Sequence, residues 1–443
     1  MITFDDSIRA FAETLSKVGV DISEAAGVTI RDMRGRLSFV ACDTLAAGII
    51  DKVEAAIDDN LRPYVSPIGP IADKFSPGAE RVFGEGGGIR VSLGLAGHER
   101  PITATILDRR AVGSDWLHEP VDLVDAPPRL VFSSIKGGVG RSTALSVLGA
   151  ELAERGHSIL VLDLDLEAPG VGSMLIEPNT TPKFGSIDFF VENALHELDD
   201  SFIQDCVGAS WLGGGRGRID VVPAFGAKSL ENPSAVLSKL ARAYLEDEDN
   251  QGKPRTFLKH VQDLVTRLTT LRRYDAILVD ARAGLHETTA AAVLGLGADI
   301  LLFGVDQLQT LIGYRFLLSQ LAQFPVHDTE HDWRYRLCMV QAKAENEKAM
   351  ADYRAHTFEL FDDIFYSSET RPETDILDQG FRFSIDDQDA PHFPIPIFED
   401  ERYRLFDPIR DRAQLVRDRY EKSFKPFIRF CMERLQLSED AQP

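Results

Sequence analysis

A glycine-rich segment between an apolar strand and an apolar helix constrains this chain more than any other feature of its sequence. The segment Ser134–Thr143 reads Ser-Ile-Lys-Gly-Gly-Val-Gly-Arg-Ser-Thr. Apolar residues precede it at 130–132, and leucines at helical spacing follow it as far as Arg155. Glycines let successive backbone N–H groups converge on phosphate oxygens, and the start of a helix adds partial positive charge. The segment is therefore predicted to be a phosphate-binding loop.

Two residues of this loop depart from the common pattern G-x-x-x-x-G-K-[ST]. Ile135 occupies the position of the first glycine, and Arg141 occupies that of the lysine. Arginine also binds phosphate, but a planar fork replaces a compact point charge, so the contacts to the phosphates must differ. The hydroxyl of Ser142 stands where such loops place their Mg²⁺ ligand. We therefore expect nucleotide binding to survive these changes more easily than turnover does.

Two further apolar strands are predicted to end in carboxylates beside the loop. Residues 158–165 form a short buried strand that ends in Asp163 and Asp165. Residues 274–280 form another, which ends in Asp280. Because the carboxyl ends of parallel strands meet at one edge of a sheet, these acids are expected close to the phosphate-binding loop. For the first pair, acidic turn residues without a catalytic role are the alternative interpretation.

Further strand patterns indicate the fold class. Buried apolar runs occur at 298–305 and 336–340, and a strand-like run occurs at 218–224. Helical patterns lie between them, and such alternation is typical of a parallel sheet covered on both faces. The sequence predicts an α/β fold, namely a three-layer, doubly wound, mostly parallel sheet of the P-loop NTPase kind.

From residue 129 to about 400, the chain resembles the ParA/MinD group of P-loop ATPases. The run at 136–140, Lys-Gly-Gly-Val-Gly, looks like the deviant Walker A loop of that family, and the acidic strands follow in the family's order. The Lys-Gly-Gly-Val-Gly-Arg form is similar to a variant bacterial subgroup. The resemblance implies ATP and Mg²⁺ as cofactors. Its implied nucleotide-binding residues are Gly137, Gly138, Val139, Gly140, Arg141, Ser142 and Thr143.

The resemblance also implies roles for individual side chains. Lys136 is expected to reach across a nucleotide-sandwich dimer to the phosphates of the partner. Asp165 is expected to orient the attacking water or accept its proton. The implied metal ligands are Ser142, Asp163, which acts through water, and the Walker B residue Asp280. The residues at 341–343, Gln-Ala-Lys, stand where the family reads the base, so the adenine is inferred from the family rather than from these residues.

The implied function is a slow ATPase that acts as a nucleotide-dependent dimerisation switch in a regulatory, positioning or defence system. An ATP-dependent homodimer is the expected assembly. A different class of function is favoured by Ile135 and Arg141, because the lysine that normally neutralises charge in the transition state is missing. In that alternative, the chain is a hydrolysis-deficient module that senses ATP and controls a partner effector.

Residues 1–125 lie outside the resemblance and are predicted to form a small α+β domain, while residues 126–443 form the ATPase domain with its C-terminal helices. The N-terminal domain is one candidate surface for a protein partner, and the resemblance implies the helical stretch at 228–245 as the other. The segment 108–117 contains two arginines and a tryptophan. It either docks a partner or joins the two domains.

Charge and composition narrow the classes of partner. The formal net charge of −22 disfavours non-specific DNA binding, which depends on neutralising phosphates with lysine and arginine. The cysteines are far apart, so neither a zinc site nor a disulfide framework is predicted. No basic-then-apolar segment begins the chain, and no apolar run approaches the roughly 20 residues of a membrane span. A cytoplasmic protein is expected.

The C-terminal stretch has two interpretations. Apolar residues at 424, 427, 428, 431 and 435 lie at helical spacing among lysines and arginines, in one or two helices expected to break near Pro426. Such a pattern is typical of an amphipathic helix that binds a membrane surface, and equally of a terminal helix that packs on the sheet. Packing is favoured, because Pro426 and Glu433 interrupt the basic face.

Overall fold

The computed structural model describes residues 1–84, 88–110, 112–123, 126–248, 254–328, 331–366 and 381–438. The chain divides into two compact units, residues 1–118 and 119–443. The domain boundary expected from the sequence falls between residues 125 and 126, and residue 125 lies outside the described residues.

The first unit is a small α+β fold, as predicted. Its sheet has the strand order β3-β2-β1-β5-β4 and mixes parallel and antiparallel pairs. Helix α1 is amphipathic, and its buried face packs with the strands in one apolar core. The strands are β1 Gly27–Arg31, β2 Leu37–Ala41, β3 Ile71–Asp73, β4 Ile89–Leu93 and β5 Ile102–Asp108, and the helices are α1 Phe4–Lys17, α2 Ile49–Ala56 and α3 Ala79–Gly84.

The second unit is built on an eight-stranded sheet that confirms the predicted fold class. Its order is β15-β14-β13-β6-β12-β7-β9-β8, and every pair except β8 with β9 is parallel. A separate two-stranded ribbon joins β10 and β11. The strands are β6 Arg129–Ser134, β7 Ser158–Asp163, β8 Gly208–Ala209, β9 Arg218–Val222, β10 Asp247–Glu248, β11 Pro254–Arg255, β12 Ala276–Ala283, β13 Asp299–Gly304, β14 Leu337–Ala344 and β15 Ile395–Phe398.

Helices cover this sheet on both faces. On one face of the sheet, alternate residues of the central strands share an apolar core with helices α4 and α14. The other residues of these strands point to the opposite face and are buried under a second layer, in which helices α10 and α11 contact each other. The helices are α4 Arg141–Glu154, α5 Val171–Leu175, α6 Ser186–Asn193, α7 Asp200–Gln204, α8 Ala227–Glu231, α9 Val236–Ala243, α10 Phe257–Leu271, α11 Glu287–Gly295, α12 Leu308–Leu321, α13 Glu347–Phe361 and α14 Arg417–Arg434.

The C-terminal stretch forms one helix, α14. It runs through Pro426 without interruption, so the expected break near that residue is wrong. The apolar face, including Phe424, Phe427 and Cys431, is buried in the same core as the P-loop helix α4. That burial agrees with the packing interpretation, because the stripe is already covered by the unit's own sheet. Within the described residues, no helix is long and apolar enough to cross a membrane.

A buried carboxylate joins α14 to α4. Glu151 of α4 is 2% exposed. It accepts hydrogen bonds from the hydroxyl of Tyr420 at 2.6 Å, from Arg155 Nε at 2.6 Å and from the guanidinium of Arg417. These donors offset the cost of burial and hold the pKa of the Glu151 carboxyl below its usual value. The far end of α4 is therefore fastened to the last helix by charged contacts.

Candidate nucleotide site

The predicted phosphate-binding loop joins β6 to α4. Gly138 and Gly140 adopt positive φ angles of 76° and 90°, which other residues rarely adopt, and Gly140 is the N-cap of α4. A Cβ added at Gly137, Gly138 or Gly140 would meet no atom within 4 Å. The loop therefore presents an open surface at a helix N-terminus, which is the setting in which backbone N–H groups bind phosphate.

The predicted metal ligands Ser142 and Asp280 lie together beneath this loop. Ser142 is in the first turn of α4, and Asp280 is in β12, the strand beside β6. The Ser142 hydroxyl donates to Asp280 Oδ2 at 2.6 Å. Asp280 is 1% exposed, and burial raises the pKa of its carboxyl to about 6 despite the opposing effect of Arg141.

Asp163 is the last residue of β7, the strand next to β12, and Asp165 lies two residues later. Asp163 is opposite Asp280 in the register of β7 and β12. It is fully buried, and burial together with the nearby Asp280 raises its pKa well above the usual value. Its oxygens accept backbone hydrogen bonds from Asp165 at 3.1 Å and from Gly172 at 3.4 Å. The three predicted carboxylates are thus gathered at one edge of the sheet.

Arg141 lies among these carboxylates. Its Nη2 is 3.2 Å from Asp165 Oδ2, and its Nε is 3.8 Å from Asp280 Oδ1. The side chain is 7% exposed, and Nη1 has no hydrogen-bond partner within the part of the chain that the structure describes. The guanidinium therefore offsets part of the charge of the two acids and keeps one buried donor for an acceptor, such as a phosphate oxygen.

The remaining predicted residues of the loop differ in their exposure. Lys136 is exposed, and its ammonium group has no hydrogen-bond or ion-pair partner among the described residues. Its backbone is held by Ser134, whose hydroxyl donates to the Lys136 carbonyl at 2.9 Å. Val139 is buried, and Thr143 is half-buried in the first turn of α4.

A polar cluster beside Asp165 was not predicted from the sequence. Glu167 forms an ion pair with Arg282, lies 3.5 Å from His286 Nε2, and accepts from the Tyr244 hydroxyl at 3.3 Å. Burial and the neighbouring Arg282 lower the pKa of His286. Glu167 and Tyr244 come from separate segments, and Arg282 and His286 come from a third, so no local pattern could reveal the whole cluster. From the sequence, Arg282 is either a residue that touches phosphate or a partner protein, or an exposed loop arginine; in the structure it lies near the end of β12 and forms its ion pair with Glu167.

A second cation reaches the loop from β14. Lys343 Nζ donates to the carbonyl of Gly138 at 3.2 Å. The sequence analysis singled out Lys343 only as part of the run 341–343, which stands where the family reads the base. In the structure Lys343 is the exposed residue of a strand in which residues 337–342 and Ala344 are all buried. The contact spans 205 positions of the sequence, which is why the sequence could not predict it.

These residues fit a magnesium ion that arrives with a nucleotide. Among the described residues, no group of three or more His, Cys, Asp or Glu side chains could hold a metal ion by itself. Ser142 and Asp280 nevertheless present a hydroxyl and a carboxylate oxygen 2.6 Å apart. Mg²⁺ commonly takes one or two protein oxygens and completes its shell with water and substrate phosphates. Ser142, Asp280 and Asp163 are the residues that would hold it.

Comparison with solved structures finds distant likenesses. A ParA family ATPase from Chlorobium tepidum TLS is 17% identical, with a TM-score of 0.42, over 68% of this chain and 99% of that one. A complex of a Cyanothece McdA variant with ATP is 14% identical, with a TM-score of 0.41, over 71% and 98%. The Pyrococcus furiosus cell division ATPase MinD is 20% identical, with a TM-score of 0.32, over 48% and 71%.

Two of these three proteins are named as ATPases. No protein-family model matches the chain, and no curated protein matches it. With TM-scores below 0.5 and identities below 25%, these likenesses assign no activity to this chain. The chemistry of the site must be argued from its own residues.

Replacing Asp280 with asparagine is expected to stabilise the nucleotide-free protein at about pH 7.5 by roughly 1–2 kcal/mol. The pKa of Asp280 is raised in the folded state to about 6 from 3.8. The protonated Asp280 carboxyl therefore contributes stability to the fold. This contribution is fully present below the unfolded pKa of 3.8 and is lost as the pH rises through the folded pKa of about 6. Wild-type stability should fall over this interval, and the gain from Asp280→Asn should vanish near about pH 4.

Chemical unfolding in the presence of a chelator measures this effect. The matched control is Asp352→Asn, which makes the same change at an exposed position of α13 and should shift stability by less than about 0.5 kcal/mol. A loss of stability in Asp280→Asn at neutral pH would show that the charged carboxylate supports the apo fold through Arg141.

Proposed function

We propose that this protein is an ATPase of the ParA/MinD type, which binds Mg-ATP and acts as a nucleotide-dependent dimerisation switch in a regulatory, positioning or defence system. The observation that carries the proposal is the pair Ser142–Asp280, 2.6 Å apart beneath a glycine loop open at the N-terminus of α4. This arrangement supplies phosphate donors and magnesium ligands at one place. The Lys136 to Gly140 run supports the ParA/MinD assignment.

In the proposed mechanism, backbone N–H groups of the loop and the free Nη1 of Arg141 hold the phosphates. Bound magnesium would neutralise charge on the phosphate oxygens. Asp165, 6% exposed, orients a water molecule and accepts its proton. Phosphoryl transfer of this kind relies on positioning and charge stabilisation, so a slow rate is expected where Arg141 engages the carboxylate that must act as base.

The contact between Arg141 and Asp165 favours a second candidate function. In the described structure, the proposed base accepts from a guanidinium at 3.2 Å instead of being free for water. A protein in which this pair persists with nucleotide bound would sense ATP without useful hydrolysis and would control a partner effector. Hydrolysis is the property that separates the two candidates.

The organisation of the chain is part of the proposal. We assign the ATPase to residues 126–443 and partner binding to the N-terminal domain, residues 1–125, or to the middle helices α8 and α9. Exposed Leu230 and Leu237 on these helices offer apolar contacts. A cytoplasmic location, and the absence of non-specific DNA binding in a chain of net charge −22, belong to the same proposal.

The deciding experiment measures ATP hydrolysis by the purified chain with Mg²⁺, together with its molar mass by light scattering in ATP and in ADP. Turnover with a dimer that forms only in ATP supports the switch. ATP binding without turnover supports the sensor. Failure to bind ATP would overturn both.

Lys136→Ala is expected to weaken the ATP-dependent dimer about tenfold while ATP binding by the monomer is unchanged, because the exposed ammonium has no partner within its own described chain. Dimer affinity is measured by sedimentation with ATP. The control Lys422→Ala removes an exposed lysine from α14 and should leave the dimer unaffected. If Lys136→Ala dimerises in ATP as strongly as the wild type, Lys136 does not act on the phosphates of the partner subunit.

A further inference from the structure

Lys343 has an unusual backbone conformation. Its φ angle is +57°, in the left-handed region that side chains other than glycine rarely adopt. Within the described residues, Gln436 at φ +54° is the other non-glycine residue in this region. Such conformations cost energy and persist where the surrounding structure holds them, often at ligand sites.

A bulge creates this conformation. The register between β14 and β15 shifts between Gln341 and Ala344, so Lys343 leaves the buried pattern of its strand. Gln341 Nε2 donates to the Ala349 carbonyl at 3.0 Å and ties the strand end to α13. The bulge therefore turns one lysine away from the core and towards the loop.

The turned side chain places an ammonium on the phosphate-binding loop. Nζ is 3.2 Å from the Gly138 carbonyl, which is a neutral acceptor, and the side chain is exposed. A lysine ammonium carries three donors on a flexible stem, so it can keep one contact and offer others to an anion. The loop thus has a compact positive charge at its rim.

The residue at the lysine position of the loop pattern supplies less of this charge. Arg141 stands at the lysine position of the loop pattern, and its guanidinium contacts Asp165 and Asp280. Two carboxylates offset its charge, which reduces its attraction for phosphate. Within the described residues, Lys343 makes no ion pair, so its charge is not offset in this way.

We propose that Lys343 binds the nucleotide phosphates within its own subunit and supplies the point charge that Arg141 does not. The inference rests on the proposed nucleotide-binding function. Lys343 is a phosphate-binding residue, distinct from Lys136, whose proposed role is in the partner's site. The bulge at 341–344 holds it at the loop before nucleotide arrives, which explains the unfavourable backbone angle.

The test is ATP affinity of Lys343→Gln and Lys343→Arg, measured by calorimetric titration of the full chain. Lys343→Gln should weaken ATP binding about tenfold, because a charge-assisted hydrogen bond is lost, and Lys343→Arg should stay within about threefold of wild type. The difference between wild type and Lys343→Gln should shrink between about 0.05 M and 0.5 M salt. The ratio of ATP to GTP affinity should not change.

Lys343→Gly separates a binding role from a structural one. It removes the charge and also relieves the positive φ angle, so it should melt about 1–3 °C above Lys343→Gln while binding ATP as weakly. Gln436→Gly gives the same backbone relief after α14 and should leave ATP affinity unchanged.

The other possible results distinguish a failure of the proposed function from a failure of the Lys343 inference. If the wild type does not bind ATP, the proposed function itself fails. If it binds ATP and Lys343→Gln binds equally well, the function stands and the Lys343 inference is overturned. A changed ATP-to-GTP ratio would assign Lys343 to the base and would also overturn it.

Discussion

Replacing Asp165 with asparagine is expected to lower ATP hydrolysis about 100- to 1000-fold while ATP affinity stays within about tenfold, because an amide cannot accept the proton of the attacking water. Asp165 lies two residues after β7, and its Oδ1 accepts from the backbone of Ala168 at 3.2 Å while its Oδ2 accepts from Arg141. Asparagine keeps one acceptor and the shape of the side chain, so the loop should remain in place.

The loss of hydrolysis is measured by phosphate release, and the persistence of the ATP state is measured by the lifetime of the ATP-dependent dimer. Glu167→Gln is the matched control, because Glu167 lies two residues further on and is engaged by Arg282 and Tyr244. If Asp165→Asn hydrolyses ATP normally while Glu167→Gln does not, the role of the base passes to Glu167.

Replacing Arg141 with lysine is expected to raise the hydrolysis rate about 10- to 100-fold with ATP affinity within about tenfold. The guanidinium of Arg141 reaches both Asp165 and Asp280. A single ammonium presents no planar fork to two carboxylates, so Asp165 becomes free to bind water. The ammonium also gives a compact charge to the transferring phosphoryl group.

Steady-state phosphate release with Mg-ATP measures the gain. Arg9→Lys makes the same change at an exposed position of α1, beside Glu13, and should leave turnover unchanged. Equal rates for wild type and Arg141→Lys would show that the arginine does not limit hydrolysis, and the argument for a sensor module would lose its basis.

The acids of the site were predictable because they end buried strands. The uninterrupted apolar run before Asp163 and the run before Asp280 identify strands that the sheet covers on both faces. The carboxyl ends of such strands meet at one edge, so the positions of Ser142 and both acids relative to the loop could be expected.

The partners of the charged side chains were not predictable. The pattern shows that Arg141 replaces a lysine, but only the packed structure shows that its guanidinium contacts carboxylates. The Lys343 contact depends on a register shift of one strand, which leaves no periodic trace in the sequence. The continuity of α14 through Pro426 likewise depends on tertiary packing, which outweighs the local preference of proline to break a helix.

The contacts of Glu151 couple the last helix of the chain to the helix that begins at the proposed phosphate-binding loop. Helix α4 begins at the phosphate-binding loop, and near its other end Glu151 accepts from Arg417 and Tyr420 of α14. A tilt of α4 when nucleotide binds would have to carry α14 with it or break a buried charged contact. We expect a force applied to α14 by a tether, a tag or a docked protein to be transmitted through α4 to the proposed phosphate-binding loop.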